Sequence, residues 1–252
     1  MEARVKVVPK VDIEKYIQLY KKGYSIHDIK PVKNGDTYDQ TYEVFANSKF
    51  DIRVVHRDLA YEDPMAFQRI DYFLVKNEYF YMVPMLTVKE TIVGFILRGV
   101  FRKDYSTVYR EFTDTRLRVP VMFGFDKSFA KLDEKSECYP LVICEGCKDC
   151  MVLKRFYPYV LANNTSSMGL NADILSNISN KFLLAYDNDD AGRDGMIRDK
   201  RILRNKGLIV DSLDIRGSFK DCADHIRSPR EFRDLIKQMK RKLKMMYEFD
   251  KV

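Results

Sequence analysis

No run of about 18 apolar residues, the length a membrane-spanning helix needs, occurs in the 252 residues. The amino terminus lacks the basic, apolar and small-residue segments of a signal peptide. These two absences lead us to expect a cytoplasmic protein with no membrane role, in the host cytoplasm if the chain is viral. There is no internal repeat and no low-complexity linker. Tryptophan is missing, and 16 Tyr and 16 Phe select no function by themselves. Cysteine is scarce at five, the first being Cys138, and in a reducing compartment these are not expected to pair as disulfides. Acid is in deficit, 37 Asp and Glu against 44 Lys and Arg, for a net charge of +7. Because the acids crowd into a few motifs, the remaining surface is more basic than that figure, which suits a polyanionic partner. The length allows a real core and two or three subdomains.

What is present is most informative at Leu183-Leu184-Ala185-Tyr186-Asp187-Asn188-Asp189-Asp190-Ala191-Gly192. An apolar run ending in carboxylates and a glycine reads as a buried strand with acids at its exit. Alternation points Asp187 and Asp189 the same way, where they repel unless a cation lies between them. A hard divalent ion takes such oxygen ligands. A second strand, Leu141-Val142-Ile143-Cys144, ends in Glu145-Gly146, with Asp149 at the start of a helix expected over about 148–156. Tyr159 to Ala162 reads as a third strand, followed by a polar loop over 163–169. Leu208 to Val210, with Leu213 to Ile215 nearby, reads as a fourth and precedes Lys220-Asp221-Cys222-Ala223-Asp224. Strands alternating with helices imply a parallel sheet with ligands at its carboxyl edge.

The three segments Ile143-Cys144-Glu145-Gly146-x-x-Asp149, Asp187-x-Asp189-x-Ala191-Gly192 and Lys220-Asp221 together resemble the toprim domain of primases, topoisomerases and some nucleases. That resemblance implies Mg²⁺ or Mn²⁺ at Glu145, Asp187 and Asp189 as the catalytic set, with Asp149 and Asp221 as further metal-site acids. Helix capping is the competing account of Asp149, Asp221 and Asp224. Asp190 and Asp194 read as loop and helix-start charges.

Upstream, Val83-Pro84-Met85, then Ile92-Val93-Gly94-Phe95-Ile96-Leu97-Arg98, Asp114-Thr115 and Phe123-Gly124-Phe125-Asp126 resemble the DnaG-type primase core. Tyr16-Ile17-x-x-Tyr20 through Asp28-Ile29 resembles its helical entry, while residues 31–70 add little. The resemblance implies RNA primer synthesis on a single-stranded DNA template from nucleoside triphosphates by Mg-dependent nucleotidyl transfer. Arg98, Arg110, Lys148 and Lys220 are the implied nucleotide or nucleic-acid contacts. The family's zinc module has no counterpart before Cys138, and only about 25 residues follow Ile226 where a helicase-binding domain is usual. A replicative helicase or a separate zinc-module protein is therefore an expected partner. A toprim nuclease and a non-catalytic nucleic-acid-binding module are the alternatives.

The expected class is α/β, α+β overall. A toprim parallel-sheet domain (136–226) is preceded by a helical entry and β-rich primase-core subdomain (1–135) and followed by a basic C-terminal helix (227–252). A helix is expected over about 13–21, a hairpin joining Tyr72 to Val75 with Tyr79 to Val83, and strands over Thr91 to Val100 and Thr107 to Phe112. Ser228-Pro229 signals the last helix, with Phe232, Leu235, Ile236, Met239, Leu243 and Met246 as its apolar stripe. Cys138, Cys144, Cys147 and Cys150 have zinc-like spacing. Distribution over strand, turn and helix argues against convergence, so no zinc is expected. His56-Arg57-Asp58 echoes a kinase loop without its companion motifs and reads as chance.

Overall fold

The computed structural model describes residues 13–29, 40–60, 79–100, 106–110, 122–129, 139–163, 169–215 and 219–248. The Tyr72 to Val75 arm of the expected hairpin, Phe112, Asp114, Thr115 and Cys138 lie outside them. The amino-terminal half is an antiparallel sheet in the order β1 (Tyr24–Ser25), β2 (Arg53–His56), β3 (Tyr79–Leu86), β4 (Ile92–Gly99), β5 (Ser106–Arg110). Helix α1 (Ile13–Lys22) lies on one face, packing Tyr16, Leu19 and Tyr20 on Val55, Phe80, Phe95 and Leu97. The alternate residues Val54, Tyr81, Val83 and Ile96 turn to the other face. With both faces covered, the central strands β3 and β4 are apolar at nearly every position, and Pro84 is accommodated inside β3 opposite Phe95.

The carboxyl half is a parallel sheet in the order β7 (Val160–Ala162), β6 (Leu141–Cys144), β8 (Lys181–Ala185), β9 (Ile209–Ser212). Leu141, Ile143, Phe182 and Leu184 pack on one side with Leu203 of α6 (Asp190–Asn205). Val142, Cys144, Leu183 and Ala185 pack on the other with α4 (Cys147–Leu153) and α7 (Pro229–Glu248). Helix α4 is shorter than the expected 148–156, since the chain turns at Lys154. Helix α7 carries the expected stripe, with Leu235, Ile236, Met239, Leu243 and Met246 buried. Unforeseen are α2 (Gln40–Ala46), the short β2, the one-turn α3 (Arg57–Ala60) and α5 (Ala172–Leu175), the last capped by Asn171.

The two sheets share one core, in which Val54, Tyr81, Val83 and Ile96 meet Cys147, Cys150 and Met151 of α4. Two seams reinforce it. Phe123 exchanges both backbone hydrogen bonds with Ala162, at 3.0 and 2.8 Å, adding a bridge to the edge strand β7. At the next residue φ is +113°, and a Cβ there would lie 2.6 Å from the Val160 carbonyl oxygen, so Gly124 is required. On α2, the Gln40 side-chain amide donates to the Ala223 carbonyl (2.8 Å) and accepts from Arg227 (2.9 Å). Among the described residues no helix is long and apolar enough to cross a membrane.

Candidate active site

Parallel pairing in the register Cys144↔Ala185 carries Glu145 and Asp187 off the same edge of the sheet. Glu145 Oε1 accepts the Asp187 N–H at 3.1 Å, joining the two strand exits. Asp189 caps α6, its Oδ1 accepting the Gly192 N–H at 2.9 Å. That turn is so tight that a Cβ on Gly192 would lie 2.2 Å from the Asp187 carbonyl oxygen and 2.7 Å from Glu145 Oε1. Only glycine lets the acids approach this closely.

Lys220 arrives from beyond β9. Its Nζ lies 3.4 Å from Asp187 Oδ2 and 3.1 Å from Asp189 Oδ2, and its carbonyl accepts the Asn188 N–H at 2.6 Å. Asp149, buried in the first turn of α4, accepts the Ala223 N–H at 2.8 Å. Asp221 caps the same loop through the Asp224 N–H at 2.7 Å.

The charge balance follows from this crowding. Burial, aided by the Glu145, Asp221 and Asp189 carboxylates, pushes Asp187 up to about 7 despite Lys220. Burial and Asp189 also raise Glu145, against the pull of the Asp187 N–H, Lys220 and Arg198. Burial, then Asp221 and Asp187, lift Asp149 well above the carboxylate range. Asp189 alone of these is lowered, by the Gly192 N–H and Lys220. The site thus holds more carboxylate than Lys220 neutralises. An all-oxygen, acid-rich donor set fits a hard divalent cation. Among the described residues no three acid, histidine or cysteine side chains close on one point, and the ammonium of Lys220 takes the space between Asp187 and Asp189.

Arg98 lies on the face of β4 that carries Ile96, in register with Tyr81, and its charge acts on Cys147 at the start of α4. Among the described residues Arg98 makes no hydrogen bond or ion pair with Glu145, Asp187 or Asp189. Lys148 is partly exposed on α4 and acts on Asp149. Arg110 is on β5 opposite Gly94. Asp190 is the first residue of α6 and pairs with Arg193 at 2.6 Å.

Cys144, Cys147, Cys150 and Cys222 are buried thiols. Cys144 Sγ lies 3.4 Å from the Leu161 carbonyl and Cys150 Sγ 3.4 Å from that of Val160. Sequence reasoning missed a network behind the site. The fully buried Asp199 accepts from the Tyr186 hydroxyl (2.6 Å), the Leu170 N–H (3.2 Å) and Arg198 Nε (2.9 Å). The available signal was an acid on the buried stripe of α6, in step with Gly192, Gly195 and Leu203.

Residues 142–226 match the family model described as Toprim-like. Among solved structures the chain is similar to the Aquifex aeolicus primase (zinc binding and RNA polymerase domains). Identity is 19%, over 94% of this chain and 63% of that one, with a TM-score of 0.57. It is similar to a DnaG primase catalytic domain bound to single-stranded DNA, with 16% identity over 90% and 83% of the two chains and a TM-score of 0.54. It is similar to the E. coli primase catalytic core, with 20% identity over 79% and 70% and a TM-score of 0.50. At these identities the likeness is one of fold, and the chain spans 63% of the length of the first of these relatives. A comparison with curated proteins finds no match.

Proposed function

We propose that this chain, a toprim domain joined to an antiparallel sheet in the fold of the DnaG primase catalytic core, is a nucleotidyltransferase that builds RNA primers on single-stranded DNA. The observation that supports this reading is the gathering of Glu145, Asp187 and Asp189 at one edge of a sheet that shares its core with the antiparallel sheet. In this reading residues 1–135 hold template and nucleotide, 136–226 carry the chemistry, and 227–252 append a basic helix.

Mg²⁺ or Mn²⁺ held by Glu145, Asp187 and Asp189, with Asp149 and Asp221 behind them, would lower the pKa of the attacking hydroxyl and neutralise the leaving pyrophosphate. Glu145 fixes the exit of β8 through the Asp187 N–H. Asp149 holds the Lys220 to Ala223 loop against the site through the Ala223 N–H. Lys220 serves as the chain's own counter-charge and turns to the triphosphate once the acids are otherwise neutralised. Arg98, Lys148 and Arg110 hold nucleotide or template phosphates, contacts that position without reading sequence. A replicative helicase or a separate zinc-module protein would supply delivery to the template.

A toprim nuclease would apply the same acids to water. The antiparallel sheet packed on the toprim unit, in the fold of the primase catalytic cores, favours the primase reading. The test incubates the protein with single-stranded DNA, Mg²⁺ and labelled nucleoside triphosphates. Extension is expected, and Asp187→Asn or Asp189→Asn should abolish it with the fold intact. Shortening of the DNA would make the chain a nuclease, and wild-type turnover by the double Asn variant would remove the site assignment.

A further inference from the structure

We infer that the outward face of α7 is a binding track for the phosphate backbone of single-stranded DNA, separate from the acidic site. Helix α7 has 20 residues and buries one side in the core. At 100° per residue, Arg230, Arg233, Lys237, Lys240, Arg241 and Lys244 fall within an arc of about 100° on the outward surface and run for roughly 20 Å along it. Each of these six side chains is exposed. Lys237 and Lys244 are balanced within the helix by Asp234 at 3.4 Å and Glu248 at 3.6 Å. Arg230, Arg233, Lys240 and Arg241 make no ion pair or hydrogen bond among the described residues. Like charges four residues apart destabilise a helix. This face stacks several such pairs along its length.

The basic helix on the opposite face of the sheet shows what cations look like when the fold uses them. On α6, Arg193 binds Asp190, Arg198 binds Asp199, Lys200 donates to Ser212 and Arg204 to the Val210 carbonyl, and of its five cations only Arg201 makes no such contact among the described residues. Just after it, Lys206 pairs with Asp173. Among the described residues the four cations of α7 have no such internal task, and a polyanion would supply their counter-charge.

Position argues for a strand that passes the site. Helix α7 leaves the Lys220 to Asp224 loop through the single turn Asp224–Arg227, at the edge that carries the acids. Its last turn packs Tyr247 on Tyr139, which precedes β6 at the opposite edge of the sheet, with ring centroids 5.8 Å apart. At its first turn, Phe156 is 39% exposed and meets Phe232 edge-on at 5.5 Å. A cationic track of this kind follows a strand's phosphate backbone, while Phe156 meets α7 on its buried side. The choice of single-stranded DNA over duplex rests on the primase reading above.

The test measures anisotropy of a labelled oligodeoxythymidylate across about 50–200 mM salt, in EDTA and without nucleotides, so that turnover plays no part. Replacing Arg230, Arg233, Lys240 and Arg241 by Gln should lower the salt slope by about 0.7 for each phosphate no longer neutralised, up to roughly three units. Replacing Lys200, Arg201, Arg204 and Lys206 by Gln removes the same charge on and just after α6 and should leave the slope in place. Circular dichroism checks the fold, and the double variants R230Q/R233Q and K240Q/R241Q take the place of the quadruple variant if that one does not fold. An unchanged slope in the α7 variant, or equal falls in both quadruple variants, overturns the track. An equal fall for a hairpin duplex overturns its assignment to single strands. A catalytically inactive chain that retains the α7-dependent slope loses the primase reading and keeps the track.

Discussion

Asp126 is nearly excluded from solvent, and its carboxylate takes Lys154 Nζ at 2.8 Å, the Lys49 ammonium, and the Ser128 N–H at 2.9 Å. Burial pushes this carboxyl up, but Lys154, Lys49 and Ser128 together outweigh burial and hold it at about 2, below the usual 3.8. A folded value below the unfolded one gives stability that is present above the unfolded value and lost as pH falls through the folded one. The window therefore runs from about pH 4 down to about 2, and at 1.36 kcal/mol per unit the contribution is about 2 kcal/mol. Urea unfolding at stepped pH should show this loss, and Asp126→Asn should flatten it. At neutral pH the same variant should cost about 3–5 kcal/mol, because it leaves the buried Lys154 ammonium without its partner. A cost below about 1 kcal/mol would show that Lys154 finds another partner, its bond to the Pro158 carbonyl at 3.0 Å being the nearest.

At the scale of elements, legibility followed the pattern of burial. Helix α7 was readable because only one side is buried, so Leu235, Ile236, Met239, Leu243 and Met246 recur at helical spacing. Strand β2 was not. Its four residues send Val54 to one core and Val55 to another, which erases alternation. Helix α2 does carry a signal, since Thr41, Val44 and Phe45 share a face. Two turns are too short a stretch for a helical period to stand out from chance. Met239 is fully buried at the centre of the α7 contact. Met239→Ala should therefore cost about 2–5 kcal/mol in denaturant unfolding. A loss under about 1 kcal/mol would mean that α7 packs loosely and is not an integral cover of the sheet.

For the whole molecule, the two sheets matter because one core fastens the antiparallel sheet to α4, the helix that follows Glu145. The proposed divalent ion should then stabilise the entire fold by linkage, by about 2.7 kcal/mol at a hundredfold excess over Kd. Thermal melts in Mg²⁺ against Na⁺ at matched ionic strength should show a rise of several degrees. Lys220→Met removes the ammonium beside Asp187 and Asp189. The variant should melt lower without Mg²⁺ and gain more when the ion is added. A gain no larger than that of the wild type would remove Lys220 as the resident counter-charge.

Local pattern was enough to mark the strands β6 and β8, their acidic exits, the parallel sheet between them and the final helix. Each depends on residues within a few positions of one another, and burial on two faces or one leaves a readable trace in such a stretch. Only the tertiary structure brought Glu145 to the Asp187 N–H across 42 positions and Asp149 to the Ala223 N–H across 74. It also set Lys220 between Asp187 and Asp189, and buried Asp199 against Tyr186 behind them. These contacts follow from the strand order β7-β6-β8-β9 and from the docking of the antiparallel sheet on α4. Hydrophobic period states which face of a strand is buried. It does not state which strand lies beside it, and the electrostatics of the site are set by that choice.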